Sequence, residues 1–121
     1  MLRYVLALMI LVVVAGSGFS TAQNVPCDPT AAPTPEQATR RSSAIGVARR
    51  INTAEAQAYG SLKRYAQLGE LPNIPIPQGF EAQVSADSTG YTFSVKDLQD
   101  ACKFAVFSDQ HGVIYAANPI R

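Results

Sequence analysis

The fold is decided by the stretch from Phe80 to Lys96, which reads FEAQVSADSTGYTFSVK. Apolar and polar residues alternate from 80 to 86 and again from 91 to 96, and the turn sequence DSTG lies between the two runs. Alternation with a period of two is typical of half-buried strands, and a short turn between such runs predicts a β-hairpin.

Two more strands are expected after this hairpin. Residues 97–100 predict a second turn, from which a strand runs from Cys102 to Phe107. A third turn at residues 109–112 leads into a last strand from Val113 to Ala116. Four short strands joined by turns predict an antiparallel meander.

One long helix precedes the sheet. Thr34 is a suitable N-cap, Pro35 suits the first helical position, and Thr34 with Gln37 has capping-box spacing. From there to about Gln67, apolar residues recur every three or four positions: Ile45, Ala48, Ile51, Ala54, Ala58, Leu62 and Tyr65. The proline- and glycine-rich residues 68–79 predict a loop without regular structure. The expected class is α+β, with the helix packed on the four-stranded meander.

The aromatic side chains at strand spacing are expected to fill the core, because a domain of this size has few large apolar residues to spare. They are Phe80, Tyr91, Phe93, Phe104, Phe107 and Tyr115.

The first residues predict export. Arg3 precedes an apolar run over residues 4–15, and the small residues Ser20 and Ala22 suit signal peptidase. We therefore expect a signal peptide at 1–22, a proline-rich extended leader at 23–35 and a single domain at 36–121. The alternative is that the segment is not cleaved and stays as a membrane anchor, but a spanning helix needs about 20 apolar residues and this run is shorter. After cleavage no membrane span is expected. The expected location is secreted or periplasmic.

Charge argues against nucleic acid as a partner. Loss of Arg3 reduces the ten Lys and Arg to nine, which equals the nine Asp and Glu, so the mature chain is formally neutral. The basic residues of the helical region point in several directions and have no stacking aromatics among them, which favours a solvated surface. They are Arg40, Arg41, Arg49, Arg50, Lys63 and Arg64.

The two cysteines, Cys27 and Cys102, both remain after cleavage. In an oxidising compartment a disulfide between them is the expected state. Two free thiols, or a bridge between chains through Cys27, remain open alternatives.

No residue set predicts catalysis or a cofactor. Cys102 and His111 are the types that form a nucleophile pair, but they are expected at opposite ends of a strand and out of hydrogen-bond reach. Asp109 and His111, with Asp97 or Asp100, would bind a metal only if they converged, and Asp and His are also common in turns. We expect no catalytic, metal or cofactor site.

Residues 44–117 resemble the globular heads of type IV pilins and type II secretion pseudopilins. The similarity lies in the helical run Arg49–Tyr59 with Tyr65 and residues 68–71, in the strand 90–95, and in the stretch 107–115. These proteins keep a long apolar helix after a Gly-Phe cleavage site, whereas here the apolar run precedes Gly18-Phe19 and polar residues follow it. The resemblance implies a pilin-head fold without the filament-forming helix.

The resemblance implies a non-enzymatic module with a structural or assembly role in the cell envelope, acting on protein partners. The alternative is a secreted protein- or ligand-binding module, since one helix on an antiparallel sheet is also the cystatin arrangement. The cystatin inhibitory pattern Gln-x-Val-x-Gly is not present in the nearest stretch, 83–87. A small secreted enzyme is the third possibility and has no supporting residue set.

Overall fold

The computed structural model describes residues 27–28 and 30–117. In this part of the chain, helix α1 (Pro35–Leu62) lies against strands β1 (Phe80–Ala86), β2 (Tyr91–Asp97), β3 (Ala105–Asp109) and β4 (Tyr115–Ala117). The strands form one sheet in the order β1-β2-β3-β4, and each neighbouring pair is antiparallel. The predicted α+β class and meander are confirmed. The predicted signal peptide at 1–22 lies outside the described residues.

Helix α1 begins with the capping box that its sequence predicts. The backbone N–H of Gln37 donates to Thr34 Oγ1 over 3.1 Å, and the backbone N–H of Thr34 donates to Gln37 Oε1 over 2.9 Å. Pro35 occupies the first turn, where its missing N–H costs no intrahelical hydrogen bond. These contacts fix the start of the helix.

The helix ends at Leu62, earlier than the predicted limit near Gln67. Lys63 has a φ of 57°, and its N–H donates to the carbonyl of Tyr59 over 3.0 Å. This left-handed cap turns the chain away from the helix axis. The loop that follows contains a short 3-10 turn at Leu68–Glu70, where the sequence predicted no regular structure.

The core lies between α1 and the inner face of β2 and β3. Ile51 of the helix and Phe93 of β2 are both buried in one apolar cluster. The loop after the helix covers the inner face of β1, where Ile74 and Ile76 are half-buried against the same cluster. Leu62, predicted to belong to the buried stripe, is instead 52% exposed, because it lies in the last turn of the helix.

Strand β3 starts at Ala105, not at Cys102 as predicted. The carboxylate of Asp100 accepts the backbone N–H of Cys102 over 2.7 Å, and the carbonyl of Asp100 accepts the N–H of Lys103. Lys103 then adopts a φ of 53°, so the chain is still turning where the sequence predicted a strand. The last strand is also displaced, to Tyr115–Ala117 from the predicted 113–116.

Two of the aromatic residues were wrongly predicted to lie in the core. Phe107 is 42% exposed and Tyr115 is 60% exposed. Both lie on the face of the sheet opposite α1, since the neighbouring Val106 is the residue that points into the core. The alternation of β1 and β2 was predicted correctly, but Phe107 and Tyr115 lie on the outward faces of β3 and β4.

Candidate functional site

The structure contains the disulfide between Cys27 and Cys102 that the sequence predicts, with Cα atoms 4.7 Å apart. It joins the segment before α1 to the turn before β3, across 75 residues of sequence. A disulfide is compatible with an extracellular or periplasmic location. It also removes Cys102 as a nucleophile, since neither cysteine is free.

A cleft of about 420 Å³ lies beside this disulfide, between the start of α1 and the turn before β3. Arg41 Nε and Asp100 Oδ2 are 3.8 Å apart in its wall, and neither atom has a hydrogen-bond partner in the described part of the chain. The Arg41 guanidinium lies 4.9 Å from the centre of the Phe104 ring. The opposite charges of Arg41 and Asp100 therefore attract each other, although Nε and Oδ2 are too far apart for a hydrogen bond.

A polar network connects α1 to the sheet. The hydroxyl of Tyr91 donates to Asn52 Oδ1 over 2.6 Å, Asn52 Nδ2 donates to Ser108 Oγ over 3.0 Å, and Ser108 Oγ donates to the carbonyl of Val113 over 2.8 Å. Burial, together with the nearby carboxylate of Glu55, raises the pKa of Tyr91 to about 12. Tyr91 therefore stays neutral at physiological pH, and the network orients the helix.

Glu55 is an ionisable group in the core. Its side chain is fully buried, Oε2 accepts the backbone N–H of Ala66 over 2.9 Å, and Oε1 has no hydrogen-bond partner among the described residues. Burial raises the pKa of Glu55, and the negative charge of Glu70 adds to the effect. The hydrogen bond from Ala66 holds the loop after the helix against α1.

The residues considered for chemistry do not assemble. His111 Nδ1 lies 3.1 Å from Asp109 Oδ1 in the exposed turn after β3, whereas Cys102 lies in the turn before that strand. Asp97 is the last residue of β2, and its carboxylate accepts a hydrogen bond from Arg40. Within residues 27–28 and 30–117, no group of three His, Cys, Asp or Glu side chains is placed to hold a metal ion.

The structure divides the basic residues of the helical region into two groups. Arg40 pairs with Asp97, Arg41 faces Asp100, and Arg64 pairs with Glu70. The other three, Arg49, Arg50 and Lys63, make no ion pair within the described part of the chain.

Arg49 and Arg50 lie beside a groove of about 320 Å³ between α1 and the loop after it. Ala54 of the helix and Pro72, Asn73 and Ile74 of the loop also line this groove. Sequence reasoning missed it, because the two sides come from segments whose packing is not visible in any local pattern.

The outer face of the sheet carries the second candidate surface. Phe107 of β3 and Tyr115 of β4 are directly opposite in the strand register, with Ser94 of β2 on the other side of Phe107. We call Phe107 and Tyr115 the aromatic patch. Strand alternation assigns Phe107 to one face of the sheet but does not show that, among the described residues, no layer covers this face.

Comparison with known proteins gave no relative for this chain: no protein-family model, no curated protein and no solved structure matches it. Over the residues that the structure describes, none of the helical segments has both the length and the apolar character of a membrane span.

Proposed function

We propose that this protein is an exported, non-enzymatic interaction module of the cell envelope, with a pilin-head-like fold, that docks a partner protein through the aromatic patch. The observation that carries the proposal is the exposed cross-strand pair of Phe107 and Tyr115, on the face of the sheet that no described segment covers. Its location outside the cytoplasm is supported by the predicted signal peptide and the disulfide.

The chemistry of the patch suits a protein surface. Tyr and Phe are enriched at protein interfaces, where they bury a large rigid area, and the Tyr hydroxyl can still make a hydrogen bond there. The surrounding face carries both signs of charge, with Glu81 opposite Lys96 in the register and Asp109 at the end of β3. An aromatic centre with a mixed polar rim is the usual anatomy of an interface between folded proteins.

The aromatic patch would be the anchor of the interface and not the whole of it. A stable interface buries about 1,200–2,000 Å² in total, about half of it on each partner, which is more than two aromatic side chains supply. The partner must therefore also contact the polar residues that surround the patch. The pilin-head resemblance supports the same role, because it implies a module that works through surface contacts in envelope assembly.

The alternative function, a cystatin-like inhibitory module, has no specific support from the described geometry. In the hairpin between β1 and β2, the Asp87 carboxylate accepts the backbone N–H groups of Thr89 and Gly90 over 2.7 and 2.9 Å. The turn therefore makes its hydrogen bonds internally, whereas the aromatic patch is exposed to solvent.

Site-specific photo-crosslinking in cells that make the protein tests the proposal. A photoreactive residue at position 107 is expected to give an adduct with one envelope protein. The same residue at position 42, which is exposed on α1 and does not line the groove beside Arg49 and Arg50, is the matched control and is expected to give no such adduct. Identical adducts from both positions, no adduct from 107, or an adduct only between two copies of this chain would each overturn the proposal.

A further inference from the structure

We infer that the groove between α1 and residues 72–74 binds an extended acidic segment of a partner protein. This goes beyond the docking role proposed above, because the groove shares no residue with the aromatic patch. It gives the module a second contact surface, of a different chemistry.

The first argument is charge. Arg49 and Arg50 are exposed, and neither has a carboxylate partner within the described residues, whereas Arg40 and Arg64 each bond one at 2.6 Å. A guanidinium presents a planar fork of donors that matches a carboxylate with two parallel hydrogen bonds. Arg49 and Arg50 lie beside one groove, and neither guanidinium has a carboxylate partner among the described residues. Together they suit a ligand with more than one carboxylate.

The second argument is the shape and lining of the groove. Ala54 is only 6% exposed, and Ile74 is half-buried, so together with Pro72 they form an apolar floor. The small side chain of Ala54 leaves room for an incoming side chain. A ligand with an apolar group between its carboxylates would contact this floor and the arginines together.

The third argument is the unused hydrogen-bonding capacity of the loop wall. Residues 73–76 have no regular secondary structure, and neither their carbonyl groups nor the N–H groups of Asn73, Ile74 and Ile76 make a hydrogen bond within the described part of the chain. The side chains of Thr53, Gln57 and Asn73 line the groove and are likewise without a partner there. An extended peptide carries a donor and an acceptor on every residue and can satisfy such groups, as in strand addition.

These features favour a peptide over the other anionic macromolecules. Among the described residues, no aromatic side chain lines the groove, whereas single-stranded nucleic acid binding needs aromatic side chains for base stacking. The apolar floor is concave, whereas a membrane surface is bound by an apolar face that projects into it. A segment such as Glu-Val-Glu, in extended form, carries two carboxylates on one face and an apolar side chain on the other, so it offers both chemistries to the groove.

The test is fluorescence anisotropy with the full mature protein and a labelled short peptide that carries Glu-Val-Glu at its centre. We expect this peptide to bind more tightly than its Gln-Val-Gln counterpart, and added salt to weaken binding. Arg49→Glu with Arg50→Glu should weaken binding by about tenfold or more, because two charge-assisted contacts are replaced by repulsion. Arg49→Gln with Arg50→Gln should weaken it less.

The matched control is Lys63→Glu with Lys103→Glu, which changes the net charge equally at two exposed positions outside the groove. This variant should bind the acidic peptide as the parent protein does, and circular dichroism should show that both double variants fold. Equal binding of the acidic and neutral peptides, or equal weakening by the control, would overturn the inference. So would an absence of binding to any acidic peptide, or tighter binding to phosphatidylglycerol vesicles than to the peptide.

Discussion

The guanidinium of Arg40 makes two hydrogen bonds to the carboxylate of Asp97, Nε to Oδ2 over 2.7 Å and Nη2 to Oδ1 over 2.6 Å. Asp97, the last residue of β2, is fully buried, and Arg40 reaches it from α1 across 57 residues of sequence. The same guanidinium lies 4.6 Å from the centre of the Phe80 ring in β1. Arg40 thereby joins the helix to two strands.

Arg40→Ala should lower the free energy of unfolding by about 3 kcal/mol, because it leaves the buried carboxylate of Asp97 without its counter-charge. Burial raises the pKa of Asp97, but the hydrogen bonds from Arg40 and from the backbone N–H of Gln99, together with the positive charge of Arg40, outweigh burial and hold this pKa below its ordinary value of 3.8. Urea denaturation followed by circular dichroism measures the loss.

The control for this prediction is Arg64→Ala. Arg64 and Glu70 are also 2.6 Å apart, but their side chains are 47% and 44% exposed. Water and salt screen an exposed pair, so its removal should change stability much less than removal of Arg40. Equal losses from the two variants would show that the burial of Asp97 does not determine the effect.

Glu55→Gln should stabilise the protein at neutral pH. Burial raises the pKa of Glu55 above its ordinary value of 4.5, so the folded state binds the proton more tightly than the unfolded chain does. The free energy of unfolding contributed by this group therefore falls as the pH rises through the folded-state pKa. The amide oxygen of Gln can still accept the N–H of Ala66, and no buried charge remains.

Thermal melts of the parent and the Glu55→Gln variant over a range of pH measure this effect. The Tm difference should be greatest at neutral pH and should disappear at acidic pH, where Glu55 is protonated in both states. A variant less stable than the parent at neutral pH would mean that the ionised carboxylate is satisfied by a partner.

Loss of the disulfide should destabilise the domain. Cys27→Ser with Cys102→Ser opens a loop of 75 residues, and the chain-entropy model assigns such a loop about 4 kcal/mol. The double variant should unfold at a lower urea concentration than the oxidised parent. Titration of the denatured, unreduced parent should find no free thiol, and two thiols per chain would contradict the bond.

The core contact between α1 and β2 predicts a graded mutational series. Ile51→Ala and Phe93→Ala should each cost about 2–5 kcal/mol, since both side chains are buried in the same cluster. Arg49→Ala, at an exposed position of the same helix, should cost less than about 0.5 kcal/mol. A larger loss from the arginine variant would mean that the helix presents its other side to the sheet.

Local sequence patterns predicted the elements of the fold well. The Thr34–Gln37 capping box and the alternation across β1 and β2 are local signals, and the structure has both. The start of β3 was wrong because the hydrogen bond from Cys102 to Asp100 competes with strand formation over a few residues.

The candidate sites were harder to predict, because they depend on which surfaces remain uncovered. Alternation assigns Phe107 to one face of β3 but does not say that α1 covers only the opposite face. Similarly, the sequence contains six basic residues in and near the helix. Only the tertiary structure shows that Arg40 has a carboxylate partner and that Arg49 has none among the described residues.

The measurement that tests the central claim most directly is the affinity of the crosslinked envelope partner for a Phe107→Ser, Tyr115→Ser variant, by biolayer interferometry. Both side chains are exposed, so the variant should fold with a Tm close to that of the parent. We expect its affinity for the partner to fall by about tenfold or more, as for loss of interface anchors. An unchanged affinity in a folded variant would contradict a docking role for the aromatic patch.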